Sequence, residues 1–373
     1  MNVAMKAADP AQAKWTVLLY SAADNNLTPY MVDDIKECES VGSDSFTKVA
    51  CQVDQGASIG AARYLLEKAT NPNPSGISSP KLADMGQIDM ANPDTLADFI
   101  TWGMKQYPAE HTMVIISDHG GGWPGAVQDE SAGTWMSSPM IRQAFEKAEA
   151  ATGKKVDVLG MDACLMASSE FMNEMKGCAD FIVASEKTEG GDGWAYSKIL
   201  NAQLLEKMQE ASRKKIDMAP RDLARLGVSS AATRPDVLAT MSAMDTSKVG
   251  AVQTAFDHLG SAILDTKTSM KTIATIFNGA QNFDGFSDAV DLANGLIDSK
   301  KVKDANLKAA AKEVVDAVNG AVIAEEHADG YPGAHGLTID ASTYGVQSGY
   351  NDLVFAQGNH WPAALDKIAK ANQ

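Results

Sequence analysis

His119 and Cys164 are the two residues of this chain whose types and placement carry the most specific chemistry. The apolar run 112–117 ends in Asp118-His119-Gly120-Gly121-Gly122-Trp123, and the run 156–161 ends in Asp162-Ala163-Cys164. An imidazole that takes or shares a thiol proton produces a thiolate, and a thiolate attacks a carbonyl carbon. The glycines after His119 allow the backbone to come close to a ligand. The N–H groups of Gly120 and Cys164 are then candidates for stabilising the oxyanion. A single cysteine after a buried strand is more often packing than nucleophile, and a single histidine more often structural. The two at one rim of neighbouring strands make the catalytic reading worth pursuing.

That reading requires the two runs to be parallel neighbours. Residues 15–20 read as a buried strand, 28–41 as a helix with Met31, Val32 and Ile35 on one face, and 49–53 as a second strand. Residues 62–66 fit a short strand paired nearby, and 70–80 a surface loop. Asn92-Pro93 caps and opens a helix that Pro108 stops. A helix over 140–151, ended by Gly153, connects the strands at 112–117 and 156–161, and a strand follows at 181–185. Strand–helix–strand order implies parallel pairing with right-handed crossovers. The expected fold class is therefore α/β, a largely parallel sheet sandwiched between helices. Residues 120–138 show no periodicity. After about 213 helical patterns dominate, broken by candidate strands at 239–244 and 336–339. Two units are expected: a catalytic domain over 1–213, and a mainly helical region over 214–373 packed on it.

Composition narrows the partners. Of 373 residues, 48 are Asp or Glu and 32 Lys or Arg, a net charge of −16. Such a surface repels phosphate backbones and anionic membranes, so basic peptides or proteins are expected as partners and nucleic acid is not. No run of apolar residues is long enough to span a membrane. The N-terminus shows no intact signal peptide. The other cysteines, Cys38, Cys51 and Cys178, read as packing, and without HExxH or CxxC spacing a zinc site is not supported. His111 and His258 read as structural or solvated, while His327, His335 and His360 stay ambiguous.

Ligands of an open parallel sheet bind beyond the carboxyl ends of its strands. Asp24, Asp54, Asp118 and Asp162 all fall at such ends. Clustered carboxylates bind Mg²⁺, so a magnesium-dependent phosphotransferase or hydrolase is a competing reading. Gly56-Ala57-Ser58-Ile59-Gly60 fits the G-x-S-x-G elbow of α/β-hydrolases, but the glycine-rich oxyanion motif should precede the elbow and here follows it. A binding protein with a decayed site is the third class. The presence of both His119 and Cys164 argues against it.

Taken in order, Tyr20-Ser-Ala-Ala-Asp24-Asn-Asn-Leu27, Ser117-Asp-His-Gly-Gly-Gly-Trp123 and Gly160-Met-Asp-Ala-Cys164-Leu-Met resemble the clostripain-like cysteine peptidases, family C11 of clan CD. Arg63-Tyr64, Glu186 before Gly-Asp-Gly-Trp, and Leu238 to Asp245 extend the resemblance over about residues 15–245. It implies a caspase-like α/β/α sandwich, His119 and Cys164 as a catalytic dyad, and cleavage after Arg or Lys. It also implies that Asp162 and Asp192 line the primary specificity pocket, where carboxylates pair with a guanidinium or ammonium. No cofactor is expected. Calcium, which some relatives need, lacks an EF-hand pattern here. Family members are often exported, so an extracytoplasmic location is expected, with the monomer favoured. One feature departs from the family: relatives often cut themselves after a basic residue between His and Cys, whereas residues 120–141 hold no Lys or Arg and Arg142 falls in the expected crossover helix.

Overall fold

The computed structural model describes residues 13–73, 75–201, 218–231 and 233–372. Five strands form the parallel heart of a nine-stranded sheet: β1 (Ala13–Ala22), β2 (Thr47–Asp54), β5 (Ala109–Ser117), β8 (Val156–Asp162) and β9 (Ala179–Ala184). The sheet runs in the order β13-β10-β9-β8-β5-β1-β2-β3-β4. Its outer strands β3 (Ala61–Leu65), β4 (Lys81–Gly86), β10 (Thr240–Asp245) and β13 (Val322–His327) pair antiparallel.

Alternation along the strands explains why the heart is buried on both faces. In β1, Leu18 and Tyr20 point into one apolar core, while Trp15, Val17 and Leu19 point into the other. The second core is closed by α1 (Thr28–Val41), the segment Trp194 to Leu200, and α5 (Pro220–Ala231). The first core takes α2 (Pro93–Gln106), α3 (Ser138–Thr152) and α4 (Ser169–Glu174). The C-terminal helices α6 (Val249–Asp265), α7 (Met270–Phe277), α8 (Ala289–Asp298), α9 (Ala305–Ala321) and α10 (Trp361–Asn372) pack into this same core. α2 begins as its sequence dictates: the Asn92 side chain accepts the Asp94 N–H at 2.9 Å, and Pro93 occupies the first turn.

The C-terminal region is thus helical but also lends β10 and β13 to the main sheet. The expected boundary at 213 lies outside the described residues. Val322–His327 carries no helix-breaking signal, and it forms an edge strand because β10 offers it a free edge. Residues 120–138, aperiodic in sequence, contain a short hairpin of β6 (Ala126–Asp129) and β7 (Thr134–Met136). A small second sheet joins β11 (Asn282–Phe283), β12 (Phe286–Asp288) and β14 (Thr338–Asp340).

Candidate active site

The register of β5 on β8 fixes the site. Ser117 pairs with Asp162, and the Asp118 N–H continues the ladder by donating to the Asp162 carbonyl at 3.2 Å. Two residues further on each strand stand His119 and Cys164, at the carboxyl rim of adjacent parallel strands. Both line one cavity of about 280 Å³. Gly120 lies against the peptide of Cys164: a Cβ built there would meet the Cys164 carbonyl oxygen at 2.2 Å and its nitrogen at 2.8 Å. No side chain fits that gap, which is the physical reason for glycine beside the imidazole.

The ring of His119 is held from the turn after β1. Its Nε2 stands 2.8 Å from Asn26 Oδ1. That oxygen can only accept, so Nε2 carries the hydrogen and Nδ1 keeps the lone pair that receives a proton. The turn itself is braced by Asn25, whose amide donates to Asp118 Oδ1 at 2.7 Å and to the Gln128 carbonyl at 3.3 Å. Burial pushes the Asp118 carboxyl up to about 8, and desolvation lowers the His119 imidazole from its ordinary value.

Cys164 is half-buried, whereas Cys38, Cys51 and Cys178 are buried with thiols raised by desolvation. Burial also raises the Cys164 thiol, against a Glu189 N–H that donates to Sγ at 3.3 Å. The next residue, Leu165, holds φ at 67°, a left-handed backbone that a bulky side chain rarely adopts. Its N–H donates to the Lys187 carbonyl at 3.2 Å, so the turn carrying Cys164 is fastened to the strand-end loop that also carries Glu189.

Three carboxyl groups line the cavity beside Leu27, Met31 and the glycines of the 190–193 loop. Asp162 is buried and accepts the Tyr196 hydroxyl at 2.6 Å and the Ser117 hydroxyl at 3.2 Å. Asp34, from α1, faces it across Gly193: a Cβ on that glycine would lie 3.1 Å from an oxygen of each. Glu189 is the third, with both carboxyl oxygens shut off from solvent and without a hydrogen-bond partner of normal geometry. Burial raises all three, Asp34 to about 10; acidic neighbours push Asp34 and Glu189 further, whereas hydrogen bonds from Tyr196, Glu189 and Ser117 draw Asp162 back. None of the three is ion-paired to a Lys, Arg or His among the described residues. An acidic hollow without its own cation has the chemistry to receive one from a ligand.

Of the residues singled out from sequence, His119, Gly120, Asp162 and Cys164 come together at one rim. Asp192 is exposed and lines the adjoining hollow with Tyr30, Glu37 and Arg234; Asp34 borders both hollows. The strand-end acids divide: Asp118 binds Asn25 and the Gln128 N–H, Asp162 joins Asp34 and Glu189, and Asp24 and Asp54 meet Asp129 elsewhere. Sequence reasoning missed Asp34, though a signal existed. It shares the buried face of its helix with Met31, Ile35 and Cys38, where a carboxylate is out of place unless used. It also missed Asn26, which no periodicity marks. The remaining histidines each contact a carboxylate: His111 with Asp157, His258 with Glu313, His327 with Glu325, His335 with Asp288 and His360 with Asp257.

Comparison with known proteins gives the family and the fold. Residues 19–351 match the pattern of the Clostripain family, Peptidase C11. Clostripain from Hathewaya histolytica is 26% identical over an alignment of 223 positions that covers 50% of this chain and 42% of that protein, so the match spans less than half of its length. Among solved structures, a secreted C11 cysteine protease from Bacteroides thetaiotaomicron in complex with an irreversible peptide inhibitor superposes with a TM-score of 0.69 at 19% identity, covering 95% of this chain and 99% of that one. An inactive zymogen C11 protease from Parabacteroides distasonis gives 0.67 at 20%, covering 94% and 99%. These likenesses assign the fold, the caspase-like α/β/α sandwich of C11 proteases. With the family pattern running over most of its sequence, the chain belongs to the clostripain family, C11.

Proposed function

We propose that the chain is a cysteine endopeptidase that cleaves peptide bonds after Arg or Lys, with Cys164 as nucleophile and His119 as its acid–base partner. The observation that carries the reading is the shared cavity, lined by the His119 imidazole, the Cys164 thiol and the carboxyls of Asp34, Asp162 and Glu189. His119 Nδ1 takes the Cys164 proton as Sγ attacks the scissile carbonyl carbon. The N–H groups of Gly120 and Cys164 stabilise the oxyanion. The C–N bond breaks, the imidazolium returns its proton to the departing amine, and a thioester remains. Water, deprotonated by His119, then attacks the thioester and restores the thiol.

In this reading the arginyl or lysyl side chain before the scissile bond enters between Asp162, Asp34 and Glu189. Its charge draws these carboxyls into their ionised forms. Asp192 borders the outer hollow, where it meets a basic substrate on approach. The chemistry needs no cofactor beyond these side chains. Among the described residues no helix is long and apolar enough to cross a membrane. The secreted relative supports an extracytoplasmic site of action. The acidic lining of the cavity is what supports basic peptides or proteins as substrates.

Turnover of fluorogenic peptides ending in Arg, Lys or norleucine tests the proposal on wild type, Cys164→Ala and His119→Ala. Hydrolysis of the basic substrates alone, lost in both variants, is the expected result. Equal turnover by wild type and Cys164→Ala would remove the nucleophile. Preference for norleucine would remove the basic specificity.

A further inference from the structure

Glu186 opens the loop that carries Glu189, yet the peptidase chemistry makes no use of it. It is 1% exposed and does not line the cavity of His119 and Cys164. Its Oε2 accepts the Gly336 N–H at 2.9 Å, from the segment leading into β14. Its Oε1 is buried without a donor, and the carboxyl within its reach is that of Asp288, at the end of β12. Asp288, 0% exposed, accepts the Asp291 N–H at 2.6 Å, the His335 N–H at 2.7 Å and the His335 ring at 3.0 Å. The same ring nitrogen stands 3.0 Å from the Gly333 carbonyl, which can only accept, so Nδ1 carries a hydrogen. Two buried carboxyls in contact cannot both hold a charge cheaply, and one proton between them turns repulsion into a hydrogen bond. Asp288 already receives donors from Asp291 and His335, so that proton belongs on Glu186.

We propose that Glu186 is a positioning residue: its protonated carboxyl, bridged to Asp288 and Gly336, clasps the loop behind Cys164 to the small C-terminal sheet. Its catalytic consequence rests on the peptidase reading; the clasp itself does not. Backbone on either side of Glu186 holds the turn of Cys164. The Ser185 carbonyl accepts the Ala167 N–H at 2.9 Å, the Lys187 carbonyl accepts the Leu165 N–H at 3.2 Å, and the Glu189 N–H donates to Sγ at 3.3 Å. Strand β14 reaches the same turn from the other side, where the Thr338 N–H donates to the Ala167 carbonyl at 2.8 Å. Gly336 is required at the joint: its φ is 92°, and a Cβ would meet that of Ser242 at 2.8 Å.

The titratable groups facing Glu186 are Asp288 from β12 and Glu325 from β13, the latter in contact with His327. Behind Asp288 stand His335 and, from α8, Asp291. Burial first, then these acids, hold the Glu186 carboxyl well above the usual carboxylate range. The folded chain therefore keeps a proton that the unfolded chain releases. The stability of the clasp is complete below the unfolded value and declines as pH rises toward the folded one. Gln cannot lose that proton, and it offers an amide to Asp288 and a carbonyl to Gly336. Leu offers neither.

Wild type, Glu186→Gln and Glu186→Leu, each as the full chain, are compared by hydrogen exchange at pH 7, by melting temperature at pH 5 and pH 8, and by kcat and KM on an arginyl peptide. In Glu186→Leu, amides over 164–168 and 186–190 should exchange at least about tenfold faster while those of β1 keep their wild-type rates. Its kcat should fall about tenfold with KM within about twofold, and Glu186→Gln should restore both at pH 7. Glu186→Gln should also gain about 3 °C relative to wild type at pH 8 compared with pH 5. Should Glu186→Leu fail to fold, the pH comparison of Glu186→Gln with wild type decides alone. A folded Glu186→Leu with wild-type exchange and kcat, or a Glu186→Gln whose melting temperature follows pH as wild type does, overturns the proposal. Exchange and melting need no peptide cleavage, so a wild type without turnover would strike the peptidase reading and leave the clasp to be decided by these two measurements.

Discussion

The two acidic groups at the rim of the sheet differ in what can reach them. Asp34, Asp162 and Glu189 line a cavity whose mouth holds His119 and Cys164. Asp24, Asp54 and Asp129 are packed behind the turn after β1, with loop amides already bound to most of their oxygens. In sequence both look alike, aspartates at the ends of apolar runs. Surroundings separate them. The first group has a hollow long enough for an organic cation, so charge must arrive on a substrate. The same residue type thus stands open to a cavity in one place and is tied to loop amides in the other.

The largest effect should come from uncoupling the first group from its cation. Asp162→Asn keeps an acceptor for the Tyr196 and Ser117 hydroxyls and removes the charge. Loss of a buried partner for a guanidinium costs ~2–5 kcal/mol, so kcat/KM for arginyl peptides should fall on the order of 10²-fold or more. For norleucyl peptides the loss should stay below about tenfold. Equal losses on both substrates would mean that Asp162 shapes the rim rather than reads charge.

Next in size is Asn26→Ala. Without Oδ1 the imidazole loses the partner that fixes its tautomer and orientation, and kcat should fall about 10- to 100-fold with KM little changed. Asn26→Asp discriminates positioning from packing. A carboxylate there favours the imidazolium, so the acid limb of the kcat/KM profile should move to higher pH. An unmoved limb with an equally reduced kcat would reduce Asn26 to a structural residue.

The acids of the cavity also make stability depend on pH, with a definite sign. Burial lifts Asp34 to about 10 in the folded chain, against about 4 when unfolded. The native state therefore keeps a proton that the unfolded state releases. The resulting stability is complete below the unfolded value and declines as pH rises toward the folded one. Asn cannot lose that proton. Asp34→Asn should accordingly gain melting temperature relative to wild type at pH 8 compared with pH 5, while losing activity on basic substrates. For the same reason, binding of an arginyl inhibitor should release protons and tighten with pH. Calorimetry in buffers of different ionisation enthalpy measures that release; none in wild type would show that the carboxyls are already ionised.

How much of this was legible in sequence follows from which forces are local. The parallel strands, the helix from Asn92 and the helix from Thr28 were readable because periodicity and capping are written in neighbouring residues. The meeting of His119 and Cys164 was readable because one crossover between two apolar runs leaves few topologies. The division of the aspartates was not, since it depends on which hairpin or helix packs over each strand end. Asp129 lies in a stretch without period, on a hairpin fixed by contacts to Met90 and Asp24 far away in the chain. Asp34 was hidden for the opposite reason. It sits in a well-read helix, on the face shared with Met31, Ile35 and Cys38, but helical spacing alone does not say which groups from other elements it meets.

The smallest expected effect probes the wall between the two hollows. Arg234 donates through Nη1 to the carbonyls of Asp192, Gly193 and Trp194 at 2.7, 3.3 and 3.2 Å, and pairs through Nη2 with Glu37. It therefore ties α1, which carries Asp34, to the loop whose Gly193 separates Asp34 from Asp162. Lys keeps the charge but lacks the planar fork that spans three carbonyls and a carboxylate. Arg234→Lys should raise KM for arginyl peptides about two- to fivefold and leave kcat unchanged, because the imidazole and thiol are fixed from β5 and β8 instead. The side chain is partly exposed, so its ion pair contributes little by itself, and the change should act through the loop. A fall in kcat as large as that of Asn26→Ala would show that this loop, through the Glu189 N–H on Sγ, governs the nucleophile as well as the pocket.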